Sequence, residues 1–347
     1  MEKVLDKKNL EIFFKDLQET YKIIGPTLKG GGTAQYSYPT LAPVEKLEDL
    51  ILNYGVSMVS LKNIFFPDNQ KLFRFEKSGD DVIISAHENG WAEKRLFFGI
   101  HPCDISALLC LDNALMDGLF EDSRYKSKRE NSVLIGMTCA SPGEFCFCNS
   151  SGAGPDIETG YDLLMTDIGN KYYVRSGSMV GYELLSAPYF QEATSDDTRQ
   201  RAAQLEKVSH ELPKPLSISQ ISKNILERNL DKCLKEYTDL CFTCGACNMV
   251  CPTCHCFTIV EKTNPEKNKG TRNLIWDSCH YEKFATMAGD VKIRPDVKSR
   301  FTHRVLDKFY YDANRYGRIF CVGCGRCREF CPGHMSIRDA AKKIQEV

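Results

Sequence analysis

Apolar Leu10, Ile12, Phe13, Phe14 and Leu17 recur against charged neighbours and predict a helix over Met1–Thr20. From Tyr21 to about Gly181 the pattern changes to short β-type runs bounded by Gly, Pro, Asn and Asp. They fall at Lys62–Phe66, Lys71–Phe75, Asp81–Ser85, Arg95–Ile100, Ser132–Met137 and Lys171–Val174. The two most apolar, Arg95–Ile100 and Ser132–Met137, flank the helical stretch Asp104–Met116, which makes a βαβ unit. Each of these strands runs into a cysteine at its C-terminal end, the edge where open α/β sheets place their sites. Gln191–Pro215 reads as a linker helix and turn. Beyond it the signal is helical at Ser217–Glu236, Phe301–Tyr316 and Ser336–Glu346, with polar Glu261–Asn273 as an exposed loop. The expected fold is a mixed α/β domain over 1–215, then an all-helical domain over 216–347.

Composition narrows the function. With 45 basic and 46 acidic residues in 347, the balanced charge disfavours a nucleic-acid or anionic-membrane partner, and with it a DNA-binding redox sensor. The most apolar stretches are too short to span a bilayer, and Met1–Leu10 is charged rather than signal-like, so a cytoplasmic protein is expected. Seventeen cysteines in a reducing compartment point to metal binding or redox chemistry. None precedes Cys103, and twelve lie between Cys233 and Cys331.

Two segments repeat at an offset of 80 residues. Cys241-Phe-Thr-Cys244-Gly-Ala-Cys247-Asn-Met-Val-Cys251-Pro252 and Cys321-Val-Gly-Cys324-Gly-Arg-Cys327-Arg-Glu-Phe-Cys331-Pro332 both carry the ferredoxin spacing C-x₂-C-x₂-C-x₃-C-P. Three closely spaced thiolates wrap one [4Fe–4S] cubane, and the Cys-Pro thiolate ligates its neighbour. Cys241, Cys244, Cys247 and Cys331 are thereby assigned to one cluster, and Cys321, Cys324, Cys327 and Cys251 to the other. Gly245 and Gly325 allow close backbone approach. Zinc ribbons use paired CxxC without a third cysteine or a terminal Cys-Pro.

The remaining cysteines are less regular. Cys103 and Cys139 end adjacent strands, and the Ser141-Pro142-Gly143 turn could fold Cys146 and Cys148 over them. Four thiolates there suit a [4Fe–4S] cluster or a tetrahedral zinc, while buried unligated thiols are the bland alternative. Cys110 and Cys233 fall in helices and read as packing residues. Cys254, Cys256 and Cys279, with His255 and His280, could bind zinc or a further cluster, but suit small buried hydrophobes beside a cluster better. Gly30-Gly31-Gly32 reads as a turn, and no P-loop, flavin or dinucleotide fingerprint is visible.

As an ordered set, His101-Pro-Cys-Asp, Cys139…Cys146-Phe-Cys148, Cys-Pro-Thr-Cys-His-Cys-Phe, Trp-Asp-Ser-Cys and Cys-Val-Gly-Cys-Gly-Arg-Cys resemble one family over residues 60–335. It is the β subunit of cytoplasmic NAD(P)-linked nickel–iron hydrogenases (sulfhydrogenases), with the related A subunit of anaerobic sulfite reductase. The resemblance implies an anaerobic, non-catalytic electron-transfer subunit between a flavin/NAD(P)H subunit and a catalytic subunit. It also favours a third cluster on Cys103, Cys139, Cys146 and Cys148, with no flavin or NAD(P) on this chain. The His-Pro-Cys-Asp wording leans to the hydrogenase branch over sulfite reductase and heterodisulfide-reductase-like complexes. A self-contained flavin-binding reductase is the rival from another class.

Overall fold

The computed structural model describes residues 1–28, 39–86, 93–227 and 230–346. The glycine run at 30–32 lies outside them.

The N-terminal part is an eight-stranded sheet in the order β10-β1-β9-β8-β7-β6-β2-β3. Its strands are β1 (Glu2–Asp6), β2 (Lys22–Thr27), β3 (Thr40–Pro43), β6 (Arg95–Ile100), β7 (Ser132–Met137), β8 (Leu163–Asp167), β9 (Lys171–Ser176) and β10 (Phe190–Glu192). The middle four, β2, β6, β7 and β8, are parallel, and the flanks are antiparallel. Both expected strands of the βαβ unit form at their predicted bounds, with the helix Pro102–Leu115 between them and a second helix, Ser123–Glu130, before β7. Missing from the sequence reading were β2, β3, β8 and β10, short runs whose periodicity does not separate strand from other structure.

The central strands are buried on both faces. Leu96 and Phe98 pack with Phe13, Phe14 and Leu17 of the helix Leu10–Thr20. Phe97 and Ile100 face Ile105, Leu108 and Tyr125 on the other side. Phe98 and Ile100 would share a face in a regular strand. A register shift at Gly99, whose φ is +76°, puts them on opposite faces and turns the strand end toward His101-Pro102-Cys103.

Three local readings are corrected. Residues 2–6 are strand, not helix: Val4 and Leu5 are buried, and β1 pairs with β9 and β10, so sheet pairing overrides the helical pattern that holds from Leu10. Lys62–Phe65 is one helical turn rather than a strand, which short apolar runs cannot reveal. The polar loop at 261–273 is mostly a hairpin, β11 (Phe257–Thr263) and β12 (Lys269–Trp276), which pairs with β4 (Asn69–Ser78) and β5 (Asp81–Ala86) in a four-stranded sheet.

The linker helix is Ser195–Glu211, opened by a capping box on Thr194 and Asp197. Helices surround the two motifs as expected: Ile218–Glu227, Leu230–Leu240, Val297–Leu306 and Ile337–Gln345 share a core with Ile221, Leu234, Phe301 and Ile344. A π-helical turn, Asp307–Tyr311, interrupts the long helix.

Phe13→Ala should cost about 3–5 kcal/mol in chemical denaturation, because the ring is 1% exposed and meets Phe98, Tyr189 and Phe190. A loss under about 1 kcal/mol would show that the site collapses around the deletion.

Candidate iron–sulfur sites

The two motifs fold alike, residue for residue. Thr243 and Gly323 take φ of +51° and +63°, and Gly245 and Gly325 take +77° and +74°. Each second glycine starts a single helical turn, Ala246–Met249 or Arg326–Glu329, and its carbonyl accepts the N–H groups of the residues three and four ahead. Left-handed backbone at these positions bends the loop around a common centre. A Cβ on Gly323 or Gly325 would also meet the backbone of Phe147 or Phe145 at 2.6–2.7 Å.

The Cys-Pro turns then cross. Thr253, two residues after Cys251, donates its hydroxyl to the Phe320 carbonyl at 2.5 Å, beside Cys321. At the equivalent place in the other half, a Cβ on Gly333 would stand 3.0 Å from the carbonyl of Leu240, beside Cys241. Each turn is thus pinned to the residue that precedes the opposite motif. Cys331 accordingly lines a cavity with Cys241, Cys244 and Cys247, and Cys251 lines another with Cys321, Cys324 and Cys327.

The third set gathers at the sheet edge. Cys103 follows β6, Cys139 follows β7, and the loop beyond brings Cys146 and Cys148 to a cavity with both. The loop lies on the second motif: the Phe147 N–H donates to Gly323 O at 2.7 Å, and Cys146 Sγ to Cys324 O at 3.7 Å. Cys324 lines this cavity as well as its own. Tyr54 stacks on His101 at 3.8 Å, and burial lowers the His101 pKa to about 3, which keeps the imidazole neutral.

The residues present fit iron–sulfur clusters. Burial pushes the thiols of Cys103 and Cys139 well up, Cys148 to about 12 and Cys324 to about 12. Such sites hold thiolates only against positive charge, which iron supplies. Protein cations stand there too. Arg326 lines the third cavity; it pairs with Asp104 at 2.6 Å, both side chains being 2% exposed, while its Nη1 has no partner. Arg304 and Lys308 line the second.

Residues 240–335 match the family model of a 4Fe-4S dicluster domain. Over 336 residues, 95% of each chain, the protein is 29% identical to sulfhydrogenase 2 subunit beta of Pyrococcus furiosus. The chain resembles a sulfhydrogenase β subunit. No solved structure matches it. It is an iron–sulfur protein of electron transfer, and no helix among the described residues is long and apolar enough to cross a membrane.

In this sulfhydrogenase β-like chain the other cysteines lie beside the ligand sets. Cys254 shares a hydrogen bond with Cys251. Cys256 bonds to Cys279, holding the Cys279 thiol below its ordinary range, and Asn248 Nδ2 donates to the Cys279 sulfur at 3.0 Å. Buried His280 has both ring nitrogens without a partner. Among the described residues, no group of three or more His, Cys, Asp or Glu is placed to hold a single metal ion. Cys110 and Cys233 are buried in helices.

The sequence reading passed over the buried cations, four of which, Arg304, Lys308, Lys62 and Arg326, reach the cysteine motifs. Arg304 and Lys308 sit on the stripe that also buries Phe301, Val305 and Phe309, so basic residues at apolar helix positions were the available signal. Lys62 and Arg326 carried no such signal. Lys62 crosses from the α/β part to donate to the carbonyls of Asn248 (3.3 Å) and Met249 (3.1 Å), with its ammonium 3.7 Å over the Trp276 ring. Burial lowers its pKa to about 8, against the pull of Cys254 and Cys251. Arg326 crosses the other way, donating to Ser57 O (2.7 Å) as well as to Asp104.

Arg326→Met should destabilise the chain by about 3–5 kcal/mol in denaturant titration, because Asp104 is left charged and buried. The Arg326→Met, Asp104→Asn double variant should recover part of that loss. Equal stability of the single variant and the parent would mean that water reaches the pair.

Proposed function

We propose that the chain is the electron-relaying subunit of a multisubunit oxidoreductase of hydrogenase type, with three [4Fe–4S] clusters and no flavin or NAD(P) of its own. Cys241, Cys244, Cys247 and Cys331 hold the first, Cys321, Cys324, Cys327 and Cys251 the second, and Cys103, Cys139, Cys146 and Cys148 the third. The observation that carries the reading is continuity: the second and third cavities share Cys324. Arg304 joins the first motif to the second, donating to Cys247 O at 3.2 Å while lining the cavity of Cys321.

A bound cubane supplies one-electron transfer without bonding a substrate. The protein's part is to hold the thiolates, exclude water and fix the surrounding charge. Cys324 and Cys148 are buried and the other cysteines of their sets half-buried, whereas Cys244 is exposed at the far end of the series. A redox partner therefore meets the chain at Cys244, and a second partner meets it on the α/β side. A flavin/NAD(P)H subunit and a catalytic subunit are the two partners in this reading. Seventeen cysteines, twelve of them held as cluster ligands in this reading, suit the reducing cytoplasm.

Anaerobically reconstituted chain should hold about twelve iron and twelve labile sulfide, as three cubanes require. It should bleach with dithionite yet neither retain flavin nor oxidise NAD(P)H. Iron near eight would remove the third cluster, and NAD(P)H oxidation by the chain alone would establish the self-contained reductase.

Crossed ligation gives a sharper test. Cys251→Ser should disturb the same paramagnetic centre as Cys324→Ser, and Cys331→Ser the same centre as Cys244→Ser, in spectra of the reduced variants. Pairing of Cys251→Ser with Cys244→Ser instead would mean that each motif binds independently.

A further inference from the structure

The three cysteine-lined cavities differ in charge. No Lys or Arg lines that of Cys241, Cys244, Cys247 and Cys331; its one imidazole, His280, is kept neutral by burial, which lowers its pKa to about 3. Arg326 at the third cavity is offset by Asp104. The central cavity has two cations, Arg304 and Lys308, 5% and 3% exposed, and among the described residues neither forms an ion pair with a carboxylate. Arg304 donates to Asn248 Oδ1 (2.7 Å), to Cys247 O and to the Cys327 sulfur, and Lys308 donates to Thr253 Oγ1 (2.7 Å). Lys308 lies in the π-helical turn, a device that recurs at functional sites.

We infer that Arg304 and Lys308 are positioning charges that raise the reduction potential at the Cys321, Cys324, Cys327 and Cys251 site, so that a transferred electron resides in the middle of the series. This rests on the ligand sets proposed above. Reduction there takes one electron from an external one-electron donor and adds one negative charge, with no proton or bond exchanged. Buried cations favour the more negative state, and little salt screening reaches them.

The test is an anaerobic redox titration of the full, cluster-loaded chain, followed by paramagnetic resonance and iron content. Lys308→Gln keeps a donor for Thr253 and removes the charge; Lys308→Arg keeps the charge. With iron unchanged, Lys308→Gln should lower the reduction equilibrium constant of one centre about tenfold, about 59 mV for one electron. That centre should be the one Cys324→Ser abolishes; Lys308→Arg should restore it, and 1 M salt should leave the shift in place. An unchanged potential, or an equal shift in the charge-keeping variant, overturns the inference. Should Lys308→Gln lose iron, Arg304→Lys against Arg304→Gln provides the same comparison with the same two outcomes. Iron near eight in the parent chain, or loss of a different centre in Cys324→Ser, would instead strike the ligand assignment itself.

Discussion

The exchange of Cys-Pro turns between the two motifs is the contact on which the rest depends. Three cysteines at intervals of three can curl around one centre, but they leave its fourth side open. The chain closes that side with a residue about 80 positions away, and the closure is mutual: Thr253 is bonded to Phe320, while Gly333 lies against Leu240. Around this exchange the helices Leu230–Leu240, Val297–Leu306 and Ile337–Gln345 form a single core that neither motif could build alone. Long separation in sequence is costly in loop entropy, although the cost grows only slowly with length. The chain can therefore place a hairpin and a π-helical turn between the motifs without loosening the crossing.

The cysteine repeat was more legible in the sequence than the fold around it. Cysteine spacing is a local, rigid requirement, so the repeat at 241–251 and 321–331 could be read directly, and residues 240–335 match a 4Fe-4S dicluster domain. The βαβ unit was equally plain because β6 and β7 are apolar runs bounded by clear breaks. Two of the errors share one cause, pairing with distant partners. Glu2–Asp6 is too short and too charged to declare itself a strand until β9 and β10 flank it. Phe257–Thr263 and Lys269–Trp276 show polar outward faces and become a hairpin by pairing onto β4. Lys62 and Arg326 escaped notice for the opposite reason. A lone basic residue in a sequence is a surface residue by default, and only the packing of the two parts shows that these cations are buried.

Those two cations explain how the parts stay in register. Lys62 reaches from the α/β part to the carbonyls that end the first motif's helical turn, while Arg326 reaches from the second motif's turn to Ser57 and Asp104. Electron transfer falls steeply with distance, so in the proposed relay, sites split over two structural layers need rigid joints. Buried hydrogen-bonded charges serve that purpose better than apolar contacts, because sliding would strand an unpaired group.

The pseudo-symmetry of the repeat ends where function needs it to end. At Gly245 the ring of Tyr281 covers the loop, and a Cβ there would meet it at 2.6 Å. At Gly325 and Gly323 the cover is the Phe145–Cys148 loop, which carries two thiols of the third set. An aromatic ring closes one motif toward solvent, and a cysteine loop continues the other toward the sheet. A symmetric pair of loops thereby acquires a direction, with an exposed end at Cys244 and a half-buried end at Cys103. The sheet contributes the half-buried end because parallel strands β6 and β7 stop together and deliver Cys103 and Cys139 to one edge. The bulge at Gly99 sets the angle of that delivery, so a backbone irregularity in the sheet determines where the series of cysteine sites terminates.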